Sequence, residues 1–257
     1  MALFVVFEGG EGSGKTTQAG VLFNRLCREK KSVILVHEPG GTEVGDFVRN
    51  LFAPPRELPY GRLVYRLMAA RKEHQAFSRE LVSWMTPEAE LFLFSAARAE
   101  LVAKVIKPSL KKGISVLCDR YVYSTIAYQG FGRQMDISLV RRVSEVATQD
   151  LLPDIVFFLD IEPSVGLARK RASSEASTFE VEELAFHQRV KEGYLQQAKE
   201  GPGRWVVLDA SKPKKQIAEA VLSRFSQIDE ERALPSTSQR KKSPEGKSAG
   251  WEARPML

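Results

Sequence analysis

Two cysteines in 257 residues, Cys27 and Cys118, are too few for a disulfide framework, and neither stands at metal-ligand spacing. Cys27 falls in the first predicted helix and Cys118 in an apolar strand, so both read as reduced packing residues of a cytoplasmic protein. No apolar run approaches the ~20 residues of a membrane span. The chain opens directly on a strand, which argues against a signal peptide. Internal repeats, zinc-finger spacing and a basic helix interleaved with aromatics are all missing. The formal charge of +6 therefore reads as that of a mildly basic enzyme, with no nucleic-acid or membrane partner. A hydrophobic content of 43% supports a core of ordinary size for one α/β domain.

What is present begins at Gly9-Gly10-Glu11-Gly12-Ser13-Gly14-Lys15-Thr16, which fits G-x-x-x-x-G-K-[ST]. The apolar run Leu3–Phe7 before it reads as a buried parallel strand. Val21, Leu22, Arg25 and Leu26 after it keep helical spacing to about Lys30. Strand, glycine loop and helix in that order form a phosphate cradle. Its backbone N–H groups point inward, Lys15 reaches the outer phosphates, Thr16 ligates Mg²⁺, and Thr17 follows in the first turn.

Further strands are expected at 32–37, 113–118, 154–160 and 205–208. Helices are expected at 43–52 (capped by Thr42), from 86–87 towards Lys107, near 122–130 and 136–149, from Pro163 to Arg171, over 179–199 and over 214–227. Alternating strands and helices give a five-stranded parallel sheet with helices on both faces, the three-layer P-loop NTPase fold. Residues 1–228 form the domain. Residues 53–86 carry Pro54, Pro55 and Pro59 and then Arg62, Arg66, Arg71, Lys72 and Arg79, and read as an insertion whose charge is a solvated face. Residues 229–257 are rich in Ser, Pro, Arg, Lys and Glu and read as a disordered tail.

In such sheets, ligands bind beyond the carboxyl ends of strands. Glu8, His37, Glu38, Asp119, Arg120, Asp160 and Asp209 all fall there. Asp119 is placed to hold a metal-bound water or to orient the acceptor. Arg120 beside it is a costly charge unless a phosphate pairs with it.

The segments FVVFEGGEGSGKTTQ, HEPGGTEVG, ELFLFSAARAELV, VLCDRYVYSTIAYQG and LPDIVFFLDIEP stand in an order that resembles bacterial thymidylate kinases, of the nucleoside monophosphate kinase group, over roughly residues 3–226. The resemblance implies a homodimer that transfers the γ-phosphoryl group of ATP to dTMP with Mg²⁺, on the way to dTTP. It implies that Glu11 contacts the sugar hydroxyl and that Arg49 and Arg120 hold the acceptor phosphate. Phe94 would stack on the base and Arg98 would donate to a ring carbonyl. Ser124, Thr125, Tyr128 and Gln129 would line base and sugar, and Glu38 would stand near acceptor and metal. Phe94 and Arg98, one helical turn apart, share a face. A guanidinium has donors only, which favours thymine or uracil over cytosine.

The expected lid, 172–180, departs from the family pattern, because Ser173–Thr178 carries no arginine. Arg171 is the first choice for the catalytic lid cation and Arg169 the second. His37 replaces the arginine usual in relatives. Two rival readings stand beside this one. The first is the same chemistry on dUMP or a deoxynucleoside. The second is a nucleotide-sensing switch that binds nucleic acid through the insertion and tail.

Overall fold

The structure, a computed structural model, describes residues 2–52, 85–172, 179 and 182–233. Most of the expected insertion, most of the lid and the chain after residue 233 lie outside the described residues. Five parallel strands, β1 (Phe4–Glu8), β2 (Val33–His37), β3 (Ser115–Asp119), β4 (Ile155–Asp160) and β5 (Trp205–Asp209), pair in the order β2-β3-β1-β4-β5. β1 is central and fully buried along its length, as its unbroken apolar run requires. Strand geometry sends alternate side chains to opposite faces. Phe4 and Val6 join a core layer with Val116, Cys118, Val156 and Phe158. Leu3, Val5 and Phe7 join the other with Leu117, Ile155, Phe157 and Leu159. Each fully buried side chain of this kind contributes roughly 1.5–3 kcal/mol.

Helix α1 (Lys15–Arg28) and the last helix cover the second layer. The first layer lies under α3 (Pro87–Leu101), α5 (Val122–Thr125), α6 (Ile137–Thr148) and α8 (Leu184–Glu200). Helix α2 (Glu43–Phe52) packs on α3, and α4 (Lys107–Lys111) leads into β3. Local chemistry starts these helices. The Thr42 hydroxyl accepts from Gly45 N–H at 3.0 Å, the Thr86 hydroxyl from Ala89 N–H at 3.3 Å with Pro87 in the first turn, and Asp136 from Ser138 N–H at 2.8 Å.

Several boundaries differ from the sequence reading, the helix expected from 86–87 among them, which turns π-helical over Val102–Ile106. The helix expected near 122–130 turns π-helical over Ile126–Gly132. The helix expected from Phe179 starts at Leu184, after Glu183 in an extended conformation. The last helix, α9 (Lys214–Ala233), runs past the expected start of the tail at Asp229. Asp229 pairs with Lys31, and Arg232 with Asp154, so the added turn has partners on the body of the domain.

Candidate active site

The carboxyl ends of β1 and β3 carry the site. Phe7 stands opposite Asp119 in the register, and His37 of β2 stands on Asp119's other side. Backbone bonds knit the three ends together, Arg120 N–H to Phe7 O at 2.9 Å and Glu38 N–H to Asp119 O at 3.0 Å.

From β1 the chain enters Gly9–Gly14 and then α1. Helix α1 has no side-chain cap and no acid in its first turn, which leaves its N-terminal N–H groups for an anion. Lys15 is buried, with Nζ donating to Gly10 O at 2.7 Å and Ser13 Oγ at 3.3 Å. Burial, with Arg120 nearby, lowers its ammonium to about 8. Gly12 has φ +65°, and a Cβ there would lie 1.9 Å from Gly166 O of α7 (Pro163–Ala172). Glycine is thus required both by the backbone and by the close approach of a helix.

Thr16 Oγ1 donates to Asp119 Oδ2 at 2.5 Å. A hydroxyl and a carboxylate converging at the cradle suit Mg²⁺, which takes one or two protein oxygens and completes its shell with water and phosphate. No cluster of three or more His, Cys, Asp or Glu side chains that could cage a metal occurs among the described residues.

Arg120 is the hub. Nη2 donates to Glu11 Oε1 at 2.8 Å and Tyr128 Oη at 3.3 Å, and Nη1 to Gly9 O at 3.2 Å and Ser124 Oγ at 3.1 Å. Tyr128 Oη also donates to Glu11 at 2.9 Å. Burial pushes the Glu11 carboxyl up, but Arg120 and Lys15 outweigh it and hold it at about 2. Glu11, Arg120, Ser124 and Tyr128, expected together from the sequence, are together.

The resemblance gives Glu38 and Arg98 separate duties, at the metal and the base, yet they pair with each other. Arg98 Nε and Nη2 both donate to Glu38 Oε2, at 2.8 and 2.6 Å, and Nη2 reaches Tyr121 O at 3.2 Å. Both residues are buried, and burial pushes the Glu38 carboxyl up to about 7 against the pull of Arg98. Arg98 Nη1 and Glu38 Oε1 are buried with no hydrogen-bond partner among the described residues.

Phe94 does not present a bare face. Phe52 stacks on it at 4.7 Å, and Phe179 lies tilted at 6.2 Å. Gln129 is buried with Nε2 on Glu90 Oε1 at 2.6 Å, and Thr125, the last residue of α5, is also buried. Arg49 is exposed on α2, and its charge, after burial, lowers the His37 imidazole. His37 packs on the turn, and a Cβ on Gly40 would meet its Nε2 at 2.2 Å. Arg169 donates to Ala210 O at 2.8 Å past the end of β5, while Arg171 is exposed. Glu8, Glu90, Arg133 and Tyr194 carry much of the polar network but received no role from the sequence. Glu8 alone left a trace there, as a carboxylate ending an apolar strand.

A phosphate cradle, a metal-suited oxygen pair and a half-buried arginine hub at one sheet rim define a P-loop phosphotransferase. The thymidylate kinase family model matches residues 7–86 and 78–221. The thymidylate kinase of Roseiflexus sp. (strain RS-1) is 42% identical over 233 residues, covering 86% of this chain and 92% of the relative. That of Thermomicrobium roseum is 41% identical over 229 residues, covering 89% and 96%. The crystal structure of thymidylate kinase from Ehrlichia chaffeensis aligns with a TM-score of 0.62 at 30% identity, covering 87% of this chain and 98% of that one. The chain belongs to the thymidylate kinase family.

Proposed function

We propose that this enzyme transfers the γ-phosphoryl group of ATP to dTMP, giving dTDP. The observation that carries the reading is Arg120, held by Glu11, Tyr128 and Ser124 next to the P-loop. A monophosphate acceptor needs a cation within reach of Lys15, and a donor-only guanidinium there suits a phosphate. Arg49, exposed on α2 with no ion pair among the described residues, is the second cation of the clamp. A nucleoside acceptor would instead need a free base for its hydroxyl. Glu8 is ruled out for that task by full burial and four hydrogen bonds.

In this mechanism the loop N–H groups and Lys15 hold the donor phosphates, and Thr16 and Asp119 would hold Mg²⁺. The metal, when bound, neutralises charge on the phosphate oxygens. Glu11 accepts from the sugar. Phe94, with Phe52 and Phe179 beside it, supplies the aromatic surface for the base, one ring yielding as the base enters. Arg98 Nη1, without a partner among the described residues, supports the expected bond to a base carbonyl, with Glu38 fixing the guanidinium. Arg171 is the lid-side cation, because Arg169 is occupied. Ser124, Thr125, Tyr128 and Gln129 shape the sugar side.

A homodimer fits the same reading. Phe47 and Phe92 expose apolar surface on α2 and α3 that a second copy would cover. Sedimentation as a monomer would remove it. No described helix is long and apolar enough to cross a membrane.

Lys15→Ala tests the mechanism. dTMP-dependent ADP formation should fall at least ~1,000-fold, since charge stabilisation of this kind supplies several kcal/mol. A near-normal rate would refute it.

A further inference from the structure

Glu8 is fully buried at the end of β1, where it makes no contact a substrate could share. Its Oε1 accepts from the backbone N–H groups of Tyr121 at 2.8 Å and Ser124 at 3.2 Å. Its Oε2 accepts from the hydroxyls of Ser124 at 2.6 Å and Tyr194 at 3.0 Å. Those two hydroxyl oxygens stand 2.8 Å apart, and Arg120 Nη1 donates to both, at 3.1 and 3.4 Å. The direction of the chain of bonds is set by charge. Arg120 can only donate, so both hydroxyls must offer it lone pairs. They do so when their protons point to the carboxylate behind them. A buried carboxylate therefore orients two hydroxyls, and these orient one edge of the guanidinium. Glu11 and Tyr128 orient the other edge. The same carboxylate grips the backbone on the far side of Arg120, whose φ is +71°.

We propose that Glu8 and Tyr194 are positioning residues that aim Arg120 at the acceptor's phosphate. The inference rests on the reading of Arg120 as the phosphate clamp. Tyr194 belongs to α8, the helix that follows the expected lid, and its ring stacks on Phe158 at 5.1 Å. It links that helix to the acceptor site through one hydroxyl.

The first variant is Tyr194→Phe, which keeps the ring. The dissociation constant for dTMP should rise roughly tenfold, as for loss of a hydrogen bond to a charged group, while the KM for ATP stays within about twofold. Tyr121→Phe is the control. It removes another buried hydroxyl of the same core layer, one that donates to Leu151 O at 3.0 Å, and it should lower Tm without changing dTMP affinity. Glu8→Gln keeps the shape, but its amide donates to the hydroxyls and turns their protons towards Arg120. It should weaken dTMP at least as much as Tyr194→Phe.

In an Arg120→Lys background, the Tyr194 change should add less than about twofold, because the two residues act as one unit. Unchanged dTMP affinity in Tyr194→Phe, equal losses in the Tyr121 control, or a full further tenfold loss in the Arg120→Lys background would overturn the inference. Unchanged dTMP affinity in Arg120→Lys alone would instead remove the clamp reading, and the inference with it.

Discussion

Arg120 sits with φ +71°, a region that costs a non-glycine residue about 1–3 kcal/mol and persists only where its surroundings enforce it. The enforcing contacts are the bond from its N–H to Phe7 O and the Glu8 carboxylate on the next residue's N–H. Glu11 faces the same guanidinium and has a measurable signature. Its folded carboxyl stands at about 2, against an ordinary 4.5, because Arg120 and Lys15 outweigh its burial. A carboxyl with a depressed folded pKa adds stability that is complete above the unfolded pKa and lost as pH falls through the folded one. Wild type should exceed Glu11→Gln in stability above pH ~5 by no more than about 3 kcal/mol, and the gap should close towards pH ~2. Denaturant titrations at several pH values read this, and a pH-independent gap would contradict it. Part of this was legible, since Glu11, Arg120 and Tyr128 lie in spaced motifs. The Glu38–Arg98 pair was not, because Glu38 follows β2 and Arg98 lies on α3, and only the folded sheet rim brings them together.

At the scale of elements, α7 is held to the P-loop by backbone against backbone. A Cβ on Gly12 would lie 1.9 Å from Gly166 O, and one on Gly166 would lie 2.2 Å from Glu11 O. Neither obstacle is the end of a flexible side chain, so a methyl group must push helix and loop apart. The same helix carries Arg169 and Arg171 in its last turn. Gly166→Ala should therefore cut kcat by at least about tenfold, because misplacement of about 1 Å near the reacting groups is costly. Gly20→Ala on α1, where a Cβ meets nothing within 4 Å, should leave kcat unchanged and add a few tenths of a kcal/mol of stability. Equal kcat in both variants would refute the coupling. Arg171→Ala should lower kcat by ~10-fold or more while leaving the KM for dTMP nearly unchanged; an unchanged kcat would dismiss its role. Element order was legible from hydrophobic periodicity. The ends were less so. Phe179 joins Phe52, Phe94 and Tyr128 in an aromatic group, and α8 starts only after Glu183, whose backbone is extended. Local pattern carries no sign of such a tertiary contact.

Across the whole molecule, the cradle, Asp119, Arg120 and the Glu38 turn gather at one rim of the sheet, along β1, β3 and β2. β1 supplies the cradle, β3 brings Asp119 and Arg120, and β2 leads to the Glu38 turn. The far rim is devoted to holding the fold, with α9 pinned by Lys31–Asp229 and Asp154–Arg232. The architecture thus separates stability from catalysis, and the order of strands fixes which loops can cooperate. That order was not readable from the sequence, because parallel crossovers of similar length permit several arrangements. Transfer of a phosphoryl group at this rim to a thymine nucleotide's phosphate is read from the rate of ADP formation from ATP and Mg²⁺ with dTMP, dUMP, dCMP and thymidine as separate acceptors. dTMP should be used best, dCMP should be at least ~100-fold poorer, as befits a base edge that cannot meet Arg98, and thymidine should be inert. Slow ATP hydrolysis that ignores the acceptor would contradict it.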